Sequence, residues 1–191
     1  MILNKLVLDN IKSYKHEVIN FNSGINCVLG LNGSGKTTLG IKLANALGFQ
    51  FLNDEDYYFS KSDIPFSKSR TDEEVREIIT SYIEQHKNVV LTATRGDLGD
   101  KINLFYDYVI YLFAPLELRL SRIKKREYDR FGERVLKGGD MYEQQKNFHN
   151  FVVSRTTEKI EKWLNTLSCR VIKLDGSKPI DDNAEFIKKQ L

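Results

Sequence analysis

Eight consecutive residues, Gly30-Leu31-Asn32-Gly33-Ser34-Gly35-Lys36-Thr37, carry the densest chemistry in this chain of 191 residues. They fit the spacing G-x-x-x-x-G-K-[ST] at every fixed position, and the order has a physical purpose. Glycines let the backbone curl until successive N–H groups point inward at phosphate oxygens, at the positive end of a helix dipole. Lys36 then reaches the β- and γ-phosphates, and the Thr37 hydroxyl takes a place on Mg²⁺. Gly30, Asn32, Gly33, Ser34, Gly35 and Thr38 complete such a cradle. A chain with this run is expected to bind a nucleoside triphosphate.

The remaining candidates suit the transfer of a phosphoryl group, which asks a protein for positioning and for positive charge around the moving group. An acidic run, Asp54-Glu55-Asp56, offers carboxylates that can orient Mg²⁺ through water or take the proton of an acceptor hydroxyl. Arg122, Arg126, Arg130 and Arg134 recur every four residues, which on a helix places neighbouring guanidinium groups along one drifting face. Such a stripe suits a lid closing over a triphosphate, with Arg126 and Arg130 placed to act and Gly132 ending the regular helix before Arg134. A solvated basic face offset by Glu127, Asp129 and Glu133 is the plainer alternative. Arg70 and Arg95 could face the acceptor, and Gly138-Gly139 could be a lid hinge or a plain turn. Tyr57, Tyr58, Phe59 and Phe66 could line a base or sugar pocket, although burial under a loop is the commoner fate of such a group. His16, His86 and His149 fall on no triad or metal spacing.

Alternating strands and helices must hold these residues. Ile25–Leu29 reads as a short buried strand leading into the glycine run, and the helix that follows is stopped by Gly48. Residues 49–52 form a second strand that ends in the acidic run. Thr71-Asp72-Glu73-Glu74 has capping-box spacing and opens a helix. Further strands are predicted at 88–92, 108–113 and 170–174, with Pro115 opening a long basic helix and Trp163 reading as core. Such alternation implies a parallel sheet covered on both faces, with ligands outside the carboxyl ends of its strands. The fold class is therefore α/β, three layers around a parallel sheet of about five strands, in one domain over 1–191 with a hairpin extension at 1–24 and an Arg-rich lid at 128–148.

From Gly30 onward the chain resembles the small P-loop kinases, the group of shikimate, gluconate and nucleoside monophosphate kinases, over roughly 160 residues. The likeness rests on the phosphate loop, the acidic run and the passage "YVIYLFAPLELRLSRIKKRE", similar to the strand and Arg-rich helix leading into the lid of these kinases. "VIKLDGSKPIDDN" resembles the strand and loop that hold adenine, which places Gly176 at the nucleotide. "NDEDYYF", "RFGERVLKGGDMYEQ" and "KWLNTLSCRVIKLDG" are most similar to a set of bacterial ATP-binding proteins related to them. The resemblance implies a kinase using ATP and Mg²⁺ on a small acceptor. It puts Asp56 as the acid and a metal-orienting group, Asp54 as its runner-up on the substrate, Arg122 at the nucleotide, and Arg70 or Arg95 on an anionic acceptor. The first 29 residues depart from that pattern and resemble the opening hairpin of SMC-like and RecF-like ATPase heads, which could bring Lys12 and Tyr14 near nucleotide or simply extend the sheet. An LSGG-type signature is missing, and Thr92 or Thr94 stands where a hydrolytic acid would be. An ATPase coupled to conformational change or DNA contact, or a regulatory nucleotide-binding module, therefore remain as alternatives.

Composition sets the frame for these readings. Hydrophobic residues make up 41% and charged residues 29%, as in ordinary globular chains, and a net charge of +3 spread along the sequence argues against a dedicated nucleic-acid surface. Cys27 and Cys169, each in a predicted apolar strand, read as buried thiols in a reducing compartment. Without a signal-peptide pattern or an apolar run near 18 residues, the expectation is a cytoplasmic protein that does not enter membranes.

Overall fold

A computed structural model describes residues 5–11, 14–20, 24–58 and 69–179. Strands β3 (Ile25–Leu29) and β5 (Val89–Ala93) are buried at every position, as runs of β-branched and leucine residues are when both faces of a sheet are covered. With β4 (Gln50–Asn53), β6 (Tyr106–Phe113) and β7 (Arg170–Asp175) they form a parallel sheet in the order β4-β5-β3-β6-β7. The phosphate-loop strand is thus central, and all five carboxyl ends lie along one edge.

Side chains alternate between the two faces. Ile25, Cys27 and Leu29 face a core with Val75, Ile79 and Ile83 of α2 (Asp72–Gln85) and Ile160, Trp163 and Leu164 of α6 (Glu158–Leu164). Val28, Val90, Ile110 and Ile172 face the opposite core, closed by Leu43, Ala44 and Leu47 of α1 (Lys36–Leu47). Short α3 (Asp100–Asn103) adds Ile102 to the first core. Beyond β6, Pro115 precedes α4 (Leu116–Phe131), a 3-10 turn covers Gly132–Val135, and α5 (Tyr142–Ser154) follows.

Local sequence accounts for the helix limits. Gly35 and Gly48 bracket α1, both in the left-handed region with φ of 99° and 66°. Thr71 caps α2 with the full reciprocal box: its hydroxyl accepts from the Glu74 N–H at 3.2 Å while the Glu74 carboxylate accepts from the Thr71 N–H at 2.7 Å.

Two expectations need correction. Strands β1 (Lys5–Ile11) and β2 (Tyr14–Asn20) pair antiparallel as a two-stranded sheet of their own and do not extend the five-stranded sheet. Their register, from Lys5 opposite Asn20 to Ile11 opposite Tyr14, lets each satisfy the ladder of the other. Cys169 lies just before β7 and is half-buried, whereas Cys27 is fully buried in β3, and both are free thiols. No helix among the described residues is long and apolar enough to cross a membrane.

Removing the Thr71 cap tests the link between sequence and helix start. Thr71→Ala is expected to lower unfolding free energy by ~1 kcal/mol, read from urea denaturation midpoints at unchanged slope.

Candidate functional site

The phosphate loop is wedged among three neighbours. The Gly30 N–H donates to the Ala93 carbonyl at 3.2 Å, which ties the loop to the end of β5. A side chain at Gly30 would come 2.7 Å from the Leu112 carbonyl of β6, and one at Gly33 would come 2.5 Å from the Arg119 carbonyl of α4. Gly33 also holds φ at 84°. These close approaches are what the glycines are for. Arg122 stitches the far side, donating through Nη1 to the Ser34 carbonyl at 3.2 Å and through Nη2 to the Gly176 carbonyl at 2.9 Å. Above the loop opens a cavity of about 620 Å³, lined by residues 32–39 together with Asn53, Glu55, Leu112, Arg122, Arg126 and Gly176.

Lys36 is 5% exposed, and its ammonium lies 2.7 Å from Glu55 Oε1. The same oxygen accepts from Thr94 Oγ1 at 2.8 Å and from Asn32 Nδ2 at 3.3 Å. Burial raises the Glu55 pKa, but the Lys36 charge and the hydrogen bonds from Lys36 and Thr94 outweigh it and hold the carboxyl below its ordinary value. Arg126 contributes in the same direction. Asp54, 1% exposed, goes the other way: burial pushes its pKa up to about 7 against the pull of Lys36. Its Oδ2 accepts from the Thr94 N–H at 3.3 Å, while Oδ1 is buried without a hydrogen-bond partner among the described residues.

The expected acid, Asp56, is exposed and accepts from Asn53 Nδ2 at 3.1 Å. It stands outside the residues that line the cavity. After β4 the chain enters a 3-10 turn over Asp54–Tyr57, in which successive side chains point about 120° apart. Three adjacent carboxylates therefore have three environments, and the middle one meets Lys36. Sequence reasoning passed over Glu55 because only the turn type decides which of the three faces the loop.

The arginines divide as well. Arg122 and Arg126 line the cavity, and Arg130 shares a shallow neighbouring groove with both. Its guanidinium also lies 5.0 Å from the centroid of the Phe131 ring. Arg134 is turned away into a two-point pair with Asp140, at 2.9 and 2.7 Å, because Gly132 ends α4 and breaks the four-residue spacing. Gly138, at φ 96°, and Gly139, against the Arg134 carbonyl, form the tight turn behind that pair. On the other side, Arg70 Nη1 donates to the Tyr57 carbonyl at 2.8 Å. Arg95 pairs with Asp72 at 3.3 Å and lies over the Tyr58 ring. Tyr57 and Tyr58 pack against the core. Lys12, Phe59 and Phe66 lie outside the described residues. Two residues beside the loop had no individual role in the sequence reading: Glu55, named only within the acidic run, and Arg119, a buried residue of α4 whose Nη1 donates to the Asn32 carbonyl at 3.5 Å.

The donor set suits Mg²⁺ on a triphosphate better than a metal held by protein alone. Among the described residues no group of three or more His, Cys, Asp or Glu is placed to hold an ion. Mg²⁺ takes most of its ligands from phosphates and water, and asks a protein for only one or two oxygens. Thr37, in the first turn of α1, and Glu55 both line the cavity.

A parallel sheet in this order, with a glycine-lysine loop on its central strand, defines a P-loop NTPase with the fold of the small kinases. The chain belongs to the AAA domain family, whose match runs over residues 5–190 and so includes the hairpin. It is 29% identical to the uncharacterized protein YqaC of Bacillus subtilis over 84% of this chain and 93% of that one. It is 28% identical to a cytidylate kinase of Saccharolobus islandicus over 65% of this chain and 71% of the relative. Among solved structures, the shikimate kinase of Bacteroides thetaiotaomicron superposes with a TM-score of 0.57 at 16% identity, covering 88% of this chain and 96% of that one.

The raised Asp54 pKa has a sign that can be measured. A folded carboxyl that titrates above its unfolded value holds its proton more tightly in the folded state, so its stabilising contribution is complete below about pH 4 and lost as pH rises through about 7. Relative to Asp54→Asn, the natural protein is therefore expected to lose stability progressively from pH 4 to 7 and to run parallel above that. Urea denaturation of both proteins across this range reads the difference, and parallel curves throughout would remove the assignment.

Proposed function

We propose that this protein is a cytoplasmic phosphotransferase that moves the γ-phosphoryl group of ATP to a small acceptor. One observation carries the reading: a carboxylate at the carboxyl end of β4, Glu55, shares the cavity with Lys36 and lies 2.7 Å from its ammonium. An ionised acid beside the phosphate loop supports a role in receiving the proton of an acceptor. β5, the neighbour of the phosphate-loop strand, ends in Thr92-Ala93, is followed by Thr94, and brings no acid of its own.

The loop N–H groups and Lys36 hold the phosphates. When bound through Thr37, Mg²⁺ would neutralise charge on the β- and γ-oxygens. For a hydroxyl acceptor, the new acceptor O–P bond forms as the bond from the γ-phosphorus to its β-bridging oxygen breaks, and the hydroxyl proton passes to Glu55. Arg126 and Arg130 balance charge on the equatorial oxygens and help to exclude water. If the acceptor is anionic, Arg70 or Arg95 would be its partner, although in this structure Arg70 donates to the Tyr57 carbonyl and Arg95 pairs with Asp72. The cytidylate kinase relative makes cytidine monophosphate the first acceptor to try. A second reading, an ATPase that works by conformational change, is favoured by the family match running through β1 and β2.

The test is ADP release from ATP and Mg²⁺ across nucleoside monophosphates, nucleosides, sugars and small acids. One acceptor is expected to raise turnover well above the rate without acceptor, and Lys36→Ala to abolish it. Glu55→Gln is expected to lower kcat ~10²- to 10⁴-fold while Asp56→Asn stays within about threefold. ADP appearing at one slow rate whatever is added would turn the reading toward the ATPase.

A further inference from the structure

The buried residues of α4 are Arg119, Ile123 and Glu127, so charged side chains occupy two places where a helix normally presents apolar ones to the core. Arg119 is the less expected of the two. It is 5% exposed, and among the described residues no carboxylate contacts its guanidinium. It also sits in the first turn of α4, where the helix dipole disfavours a cation. The partners it does have are carbonyls: Nε donates to Ala114 at 3.2 Å and Nη1 to Asn32 at 3.5 Å. Nearby, the buried Tyr111 hydroxyl has no hydrogen-bond partner among the described residues. A buried cation with neutral partners alone is costly, and something else must offset it.

The location points to what does. Gly33 lies against the Arg119 backbone, so this residue touches the rear of the phosphate loop through main chain and side chain together. In a planar trans peptide the carbonyl of one residue and the N–H of the next point in opposite directions. A hold on the Asn32 carbonyl from behind therefore aims the Gly33 N–H forward, into the cavity. Arg122 does the same two residues on, since its hold on the Ser34 carbonyl at 3.2 Å aims the Gly35 N–H forward, and the same Nη1 also reaches the Gly33 carbonyl at 3.5 Å. The intervening Ser34 N–H is used within the loop, on the Leu31 carbonyl at 3.0 Å. Two arginines three residues apart on α4 thus hold the loop carbonyls from Asn32 to Ser34, and Arg119 is the one on Asn32.

We infer that Arg119 is a positioning residue for phosphate binding: it fixes the Asn32–Gly33 peptide from behind, and its unpaired charge is offset by the phosphates on the other side of the loop. It touches no substrate and acts through the loop backbone. The inference rests on the nucleotide reading of the cavity, and the two can fail separately.

Titration calorimetry with ADP and with adenosine separates them. The natural protein is expected to bind both, and binding of neither would reject the nucleotide reading itself. Arg119→Met fills similar volume without charge or donors. It is expected to weaken ADP about tenfold, equivalent to ~1.4 kcal/mol, while adenosine stays within about twofold. Arg119→Lys keeps the cation but loses the planar fork, and is expected to weaken ADP about threefold with adenosine unchanged. The Lys variant carries the test alone should the Met variant not fold. Equal losses on both ligands would make Arg119 a general structural residue, and undiminished ADP binding would remove its link to phosphate; either result overturns the inference.

Discussion

The structure depends on a steric constraint: three stretches of backbone meet around the phosphate loop at distances that leave no room for a side chain. Gly30 faces the Leu112 carbonyl of β6, Gly33 faces Arg119 of α4, and Gly176 after β7 faces the carbonyls of Phe113 and Ser34, each 2.9 Å from where its Cβ would stand. Because backbone meets backbone, none of these contacts can relax by a change of rotamer. The loop, the ends of β6 and β7 and the start of α4 therefore behave as one rigid body. The parallel sheet makes this possible by placing the carboxyl ends of β3, β6 and β7 next to each other.

On that frame, electrostatics gives neighbouring carboxyl groups different tasks. A buried ammonium needs a counter-charge, and Lys36 finds one in Glu55. Asp54, one residue earlier, lies deeper and shares the field of Lys36 without touching it through a hydrogen bond. The outcome is one carboxyl held ionised and one whose pKa is pushed up to about 7, side by side on a single turn. Asp56 completes the contrast. It is exposed, and its hydrogen bond to Asn53 belongs to a separate chain of contacts in which the Thr92 hydroxyl donates to Asn53 Oδ1 at 2.9 Å. That chain orients Asn53 at the cavity wall and leaves the loop alone.

How much of this was legible in the sequence follows from which physics fixes each feature. The glycine run, the buried strands and the Thr71 box were readable because backbone geometry and local hydrogen bonds fix them within a few residues. Their bounds moved by one or two positions, as with β6 starting at Tyr106. Residues whose role depends on rotation about an axis were not readable. Which of the three carboxylates meets Lys36 turns on a 3-10 turn following β4, and nothing in Asp-Glu-Asp announces that turn. Arg119 was hidden by its neighbours: the spacing 122, 126, 130, 134 drew attention to the exposed side of α4, whereas Arg119 keeps step with Ile123 and Glu127 on the buried side. A charged residue in the apolar register of a helix was the available signal. The separate sheet of β1 and β2 was also beyond pattern reading, because alternation in a strand does not say which edge it joins.

The node around Glu55 Oε1 has a consequence for how two ligands would share this site. One oxygen accepts from Asn32 in the loop, from Lys36 at the head of α1, and from Thr94 beyond β5. The first two belong to the triphosphate side, and the third belongs to the side where Arg95 follows directly in sequence. A γ-phosphate that draws on the Lys36 charge weakens the strongest of the three contacts and leaves Glu55 held by Thr94. An acceptor hydroxyl that hydrogen-bonds to Glu55 weakens the same contact from the opposite direction and leaves Lys36 available for phosphate. Each ligand thus lowers the cost of seating the other, and by linkage the two effects must be equal in free energy. On the proposed reaction, positive coupling between nucleotide and acceptor would therefore be a property of the Lys36–Glu55 pair itself, and it would need no movement of the sheet or of the backbone that cradles the loop.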